Sequence, residues 1–115
     1  MKEFPAFMRQ APNAVAGSNL SEALEGYVFE GRDGTQIVLW QCQEGGTSPT
    51  HSHEYDEYAV LLSGTFTGFI GTQAVTMGPG DECHIPAGTP HSGSYSAGYR
   101  AIDAFGGKRV VHRDL

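Results

Sequence analysis

Positive charge is scarce in this chain: 7 Lys and Arg stand against 13 Asp and Glu, a formal net charge of −6. Such a surface repels phosphate backbones and anionic headgroups, so neither nucleic acid nor a membrane is expected as a partner. Cysteine is just as thin. Cys42 and Cys83 are too few for a disulfide framework, and neither belongs to a Cys-x-x-Cys pair. The opening Met1-Lys2-Glu3-Phe4-Pro5-Ala6-Phe7 has no apolar stretch of the kind a secretory signal needs, and no run approaches the length that spans a bilayer. A cytoplasmic location is the expectation. Internal repeats, helix-period patterns and low-complexity tracts are also missing.

What remains is a single domain of 115 residues, long enough for one core and too short for two. With 16 glycines, 39% hydrophobic and only 17% charged residues, the composition suits a turn-rich all-β protein. Residues 1–18 mix Pro5, Pro12, Asn13 and Gly17 with Phe4, Phe7, Met8 and Val15, and are read as an irregular N-terminal arm that docks on the barrel or a neighbouring subunit, with Phe4, Phe7 and Met8 as exposed apolar side chains. Short β-prone runs then follow over 19–115. Tyr27 to Glu30 and Gln36 to Cys42 flank Asp33-Gly34, a hairpin turn signal. Glu57 to Leu62 is apolar on both faces after its first residue. If Glu57, Ala59 and Leu61 point inward, Tyr58, Val60 and Leu62 need a cover, either the other sheet or a second subunit, and a homodimer is expected. Further runs cover Thr65 to Ile70, Gln73 to Met77 and Tyr99 to Phe105, with a turn at Gly78-Pro79-Gly80-Asp81.

The chemistry lies in two spacings, Gly45-x5-His51-x-His53-x3-Glu57-x6-Gly64 and Gly80-x5-Pro86-x-Gly88-x2-His91. Residues two apart on a strand share a face, so His51 and His53 look into one cavity from a single element, with Cα atoms roughly 6.5 Å apart. A short turn returns Glu57 beside them, and His91 arrives from a distant strand. Three imidazoles and a carboxylate form a ligand set for one divalent metal ion, with Zn, Ni, Fe and Mn all compatible. His84 and His112 are read as ordinary polar residues, His84 being the nearer of the two to the cavity.

These two motifs resemble the pair that marks the cupin superfamily, of the small single-domain type. The resemblance implies a cupin double-stranded β-helix, an RmlC-like jelly-roll barrel, with one metal held by His51, His53, Glu57 and His91. Tyr95 stands where cupins often have asparagine. The chain's ending, Asp103-x-Phe105-x3-Arg109, with Arg113 and Asp114 beyond, places Asp103 and Phe105 on one strand face and an arginine able to clamp a carboxylate. It is similar to the ending of the cupins that linearise unsaturated uronates in pectin and alginate breakdown. Two features differ from that group, Tyr58 where a ligand glutamine is common and Gly106-Gly107-Lys108 in place of a proline. The likeness implies that Asp103, Phe105 and Arg109 belong to an active site, with Asp103 moving a proton. A metal-dependent isomerase or lyase acting on a small carboxylated metabolite is the leading expectation. An iron-dependent dioxygenase and a non-catalytic sugar- or metabolite-binding cupin are the alternatives.

Overall fold

Runs of four to seven residues, each closed by a turn signal, become strands in the structure, a computed structural model that describes residues 1–16 and 23–113. Two short 3-10 turns, Ala6–Met8 and Ala11–Asn13, precede β1 (Val15–Ala16), β2 (Glu25–Glu30), β3 (Gln36–Cys42) and β4 (Gly46–His51). Then come β5 (Glu57–Ser63), β6 (Phe66–Ile70), β7 (Gln73–Met77), β8 (Glu82–Ile85), β9 (His91–Tyr95), β10 (Tyr99–Phe105) and β11 (Val111–His112). One sheet runs β2-β3-β10-β5-β8, a second β4-β9-β6-β7, and β1 pairs with β11. All pairings are antiparallel. Because the chain changes sheet after β3, β4, β5, β7, β8 and β9, the two sheets are wound together, and the fold is the all-β jelly roll that the motifs imply.

Local chemistry sets the corners. At the β2–β3 hairpin, Asp33 Oδ1 accepts from the Thr35 N–H at 3.1 Å and the Thr35 hydroxyl at 2.6 Å, while Gly34 takes φ 84°. Gly45, at φ 79°, passes so close to the Tyr95 carbonyl that a side chain there has no room. Between β6 and β9, Gly68 stands opposite Gly93, and the Phe66 ring occupies the space a Gly93 side chain would need. That close approach turns Phe66 toward the interior and brings β9, which carries His91, against β6.

Period-two patterning decides what faces inward. On β5, Glu57 and Leu61 are buried, whereas Tyr58 and Leu62 are exposed, as the alternation predicts. One core group gathers Val15, Val28, Val38, Trp40, Phe105 and Val110, and a second joins Leu61, Met77 and Ala101. A fully buried leucine such as Leu61 contributes about 1.5–3 kcal/mol through the water it sheds.

The N-terminal arm departs from expectation at one residue. Phe4 is buried, not exposed; its ring lies 4.3 Å from the Arg100 guanidinium carbon, and its N–H donates to Gln41 Oε1 at 3.1 Å. The reason is Arg100 itself, a buried cation on the outward side of β10, whose charge is met by an aromatic face and by the Met1 carbonyl at 3.1 Å. Phe7 is exposed and Met8 half-buried. The expected boundary at Ser18 lies outside the described residues. Among the described residues, no helix is long and apolar enough to cross a membrane.

Candidate metal centre and its cavity

His51 closes β4 and stands directly opposite His91 on β9. β4 ends there, so His53 lies in the following loop and not on the same strand as His51, contrary to the sequence reading. A bulge in the β4–β9 pairing between Ser48 and His51 and the turn through residues 52–56 do the aiming instead. The three rings still converge. Their centroids are 4.2 Å (His51 to His91), 4.9 Å (His53 to His91) and 6.0 Å (His51 to His53) apart, and one nitrogen from each lies within 4.8 Å of the others.

Each ring is locked by a backbone carbonyl two residues away. The Nδ1 atoms of His51, His53 and His91 lie 2.9 Å from the carbonyl oxygens of Pro49, Tyr55 and Thr89. A carbonyl only accepts, so Nδ1 carries the hydrogen in all three, and each neutral ring presents an Nε2 lone pair. Carbonyl partners of this kind orient metal-binding imidazoles. Tyr55 also stacks on His53 at 4.5 Å and 5°.

Glu57, buried at the start of β5, faces this cluster. Its Oε1 lies 3.0 Å from His53 Nε2 and 3.6 Å from His91 Nε2. Burial pushes the Glu57 carboxyl upward, but hydrogen bonds from His53 and Asp103 outweigh it and hold the group below its ordinary value. The His53 imidazole is raised, chiefly by its bond to Glu57, whereas burial lowers that of His51. Neutral imidazole nitrogens and a carboxylate oxygen all bring lone pairs and no hydrogen, so this group is stable only around a proton or a cation. One proton serves the His53–Glu57 contact and leaves His91 Nε2 buried without a partner. The three imidazole nitrogens of His51, His53 and His91 lie close enough to share one divalent cation, a donor set that fits such an ion, and Glu57 stands beside them.

Behind the histidines is a cavity of about 120 Å³ between the two sheets. Asp103 on β10, buried, pairs across to Ala59 of β5, one step from Glu57, while Phe105 pairs with Glu57 itself. Burial, and next the negative charge of Glu57, raise the Asp103 carboxyl well above its usual range; it therefore holds the proton of the pair and donates it toward Glu57. Its Oδ1 is buried without a hydrogen-bond partner. Phe105 meets His53 and Tyr55 edge to face at 6.0 and 6.3 Å. Arg109 also lines the cavity and lowers the affinity of the neighbouring histidines for protons.

Arg109 owes its position to Gln36, which the sequence reading passed over. This fully buried amide accepts from the N–H groups of Arg109 at 2.8 Å and Val110 at 3.1 Å, and donates to the Val110 carbonyl at 3.0 Å. A polar residue on the inward period of an otherwise apolar strand was its one signal. His84, expected nearer the cavity, points outward and pairs with Asp56 at 2.8 Å; Cys83 beside it lines the cavity instead. The alternation of β8 places Cys83 and Ile85 inside, and burial raises the Cys83 thiol to about 11. His112 pairs with Glu30 at 3.0 Å, far from the cluster in sequence. The Arg113 N–H donates to the Ala14 carbonyl at 2.9 Å, and Asp114 lies outside the described residues.

Comparison with known proteins agrees with this architecture. KdgF from Halomonas sp. superposes with a TM-score of 0.70 at 19% identity, over 80% of this chain and 86% of that one. An RmlC-like cupin from Shewanella frigidimarina gives 0.67 at 16% identity, over 87% and 86%. The polyketide cyclase RemF from Streptomyces resistomycificus gives 0.63 at 21%, over 92% and 77%. At these identities the likeness is one of fold. No curated protein sequence matches the chain. Residues 38–96, just over half of the chain, match the family model described as Cupin domain, and the chain belongs to the cupin family.

Proposed function

We propose that the protein is a metal-dependent enzyme in which His51, His53, Glu57 and His91 hold one divalent ion, and that it isomerises or cleaves a small carboxylated metabolite. The observation that carries this reading is the cluster of three imidazoles with carbonyl-fixed tautomers and converging nitrogens, the Nε2 atoms of His53 and His91 lying 3.0 and 3.6 Å from Glu57 Oε1 and that of His91 buried without a partner. When bound, the ion supplies Lewis acidity toward a carbonyl or enol oxygen. The chain's own groups do the rest. Burial, and next the Glu57 charge, raise the Asp103 carboxyl well above its usual range, the direction a general acid requires. Arg109 is the cation among the described lining residues and binds the carboxylate; Phe105 shapes the wall beside His53.

The tail's likeness makes unsaturated uronates the first substrates to assay, under anaerobic conditions. Turnover there, lost on removing metal, supports the reading. Oxygen uptake by the iron-loaded protein on catechols or diketones, with silence on uronates, would replace it with the dioxygenase. Silence in both assays favours a binding protein or a substrate outside both assays.

The same reading includes a homodimer. The outward face of the five-stranded sheet carries Phe29, Ile37, Tyr58 and Leu62 exposed, and Phe29, Ile37, Ala104 and Tyr58 lie in one cross-strand row. A second copy covers such a face with closed two-fold symmetry. Light scattering at micromolar concentration checks it, and a monomer contradicts it.

A further inference from the structure

The walls of the cavity are divided unevenly between polar and apolar groups. Away from the histidine end, Leu61, Phe66, Met77 and Ala101 face the space, and Ile70 and Ile85 line it as the cross-strand partners of His91 and Glu57. Ser48, Ser92 and Tyr95 bring hydroxyls from β4 and β9 of one sheet, while the opposing β5, β8 and β10 offer Glu57, Asp103, the Cys83 thiol and the Tyr99 hydroxyl between apolar residues, so polar groups are few on a wall that is mostly apolar. A sugar acid carries hydroxyls around its whole ring, and each one moved out of water onto an apolar wall loses its hydrogen bonds without replacement. The volume points the same way. About 120 Å³ is close to the ~150 Å³ of an apolar cavity that takes one benzene ring. Within this wall, Asp103 Oδ1 is a buried acceptor with no partner.

We infer that the ligand of this cavity has an apolar, single-ring-sized body and one hydrogen-bond donor that meets Asp103 Oδ1. The inference rests on the proposed metal site only for the end from which the ligand enters. It narrows the substrate class to aromatic or similarly apolar carboxylates carrying a hydroxyl or enol, and sets polyhydroxylated uronates aside. The apolar body lies against Leu61, Phe66 and Met77, and the donor supplies the hydrogen that the buried carboxyl oxygen lacks.

Three carboxylates that differ in body and donor separate these features: 3-hydroxybenzoate, benzoate and D-galacturonate, titrated calorimetrically into zinc-loaded and chelator-treated protein. The expected order is 3-hydroxybenzoate tightest, benzoate about tenfold weaker, and galacturonate about tenfold weaker again. In Asp103→Leu the two benzoates should bind alike. If that variant does not fold, methyl NMR shifts of Met77 and Leu61 on adding each acid to the wild type give the same discrimination. Galacturonate binding as tightly as benzoate, or no binding by any of the three, overturns the inference. Zinc content is read on the same samples by elemental analysis. A chain that binds the benzoates without taking up zinc keeps this inference and removes the metal centre; a zinc-loaded chain that prefers galacturonate does the reverse.

Discussion

His51, His53 and His91 are each fixed by a carbonyl two residues away in the chain, whereas Glu57, Asp103 and Arg109 meet only through the pairing of β5 with β10 and the grip of Gln36 on the tail. The first group is locally built. Its ring orientations survive any change that leaves the β4–β9 corner intact. The second group is built by register, and a shift of one residue along β10 would turn Asp103 and Phe105 out of the cavity together. In this molecule, then, the three histidines depend on short-range geometry, whereas Glu57 and the groups proposed to handle the substrate depend on the whole sheet.

The largest effect that sharpens this contrast is expected at the acid pair. Asp103→Asn removes the proton carrier and should lower turnover about a hundredfold with substrate binding largely kept, while Arg109→Ala should weaken binding of a carboxylated substrate about tenfold. Steady-state kinetics on the working substrate separates the two. Equal losses in both parameters for both variants would mean that they act only by holding the wall together.

Next comes Gln36→Leu, which strands the N–H groups of Arg109 and Val110 and the Val110 carbonyl in the interior. Chemical denaturation should show a loss of about 2–4 kcal/mol. If the contrast holds, the variant still binds its metal ion, because no histidine is tied to Gln36, yet binds carboxylate probes more weakly. Metal loss in step with stability would break the distinction between a locally built and a sheet-built half.

The smallest effect reads the cavity interior through Cys83. Burial, with the Asp103 and Glu57 carboxyls adding to it, raises this thiol to about 11. About one part in a thousand is thiolate at pH 8, so alkylation should be slow there and rise about tenfold per pH unit toward pH 11. Rapid labelling at pH 8 would show that the cavity is wetter and less acidic in character than the structure has it.

The same contrast explains what could be read from the sequence. The spacings around His51, Glu57 and His91 are short and glycine-framed, and the structure brings those residues together. Asp103 and Phe105 follow from a strand alternation that the structure keeps. His53 reaches the cluster although β4 ends before it, since a loop fixed by Tyr55 serves as well as a strand. Gln36 was not legible, because its partner lies 74 residues away and only the closed sheet joins them. Nor was the phase of Glu82-Cys83-His84-Ile85, where neither alternation is clearly the apolar one; Asp56, from another corner, draws His84 outward. Phe4 was misjudged for the same reason, its burial being decided by Arg100 at the far end of the chain.

The central claim is the metal centre, and the direct measurement is elemental analysis of the purified wild type beside the His51→Ala/His53→Ala double variant, each loaded with one divalent ion and desalted. One ion per chain in the wild type and none in the variant, with the far-ultraviolet spectrum of a folded β protein retained, is the predicted result. Full occupancy in the folded double variant would contradict it.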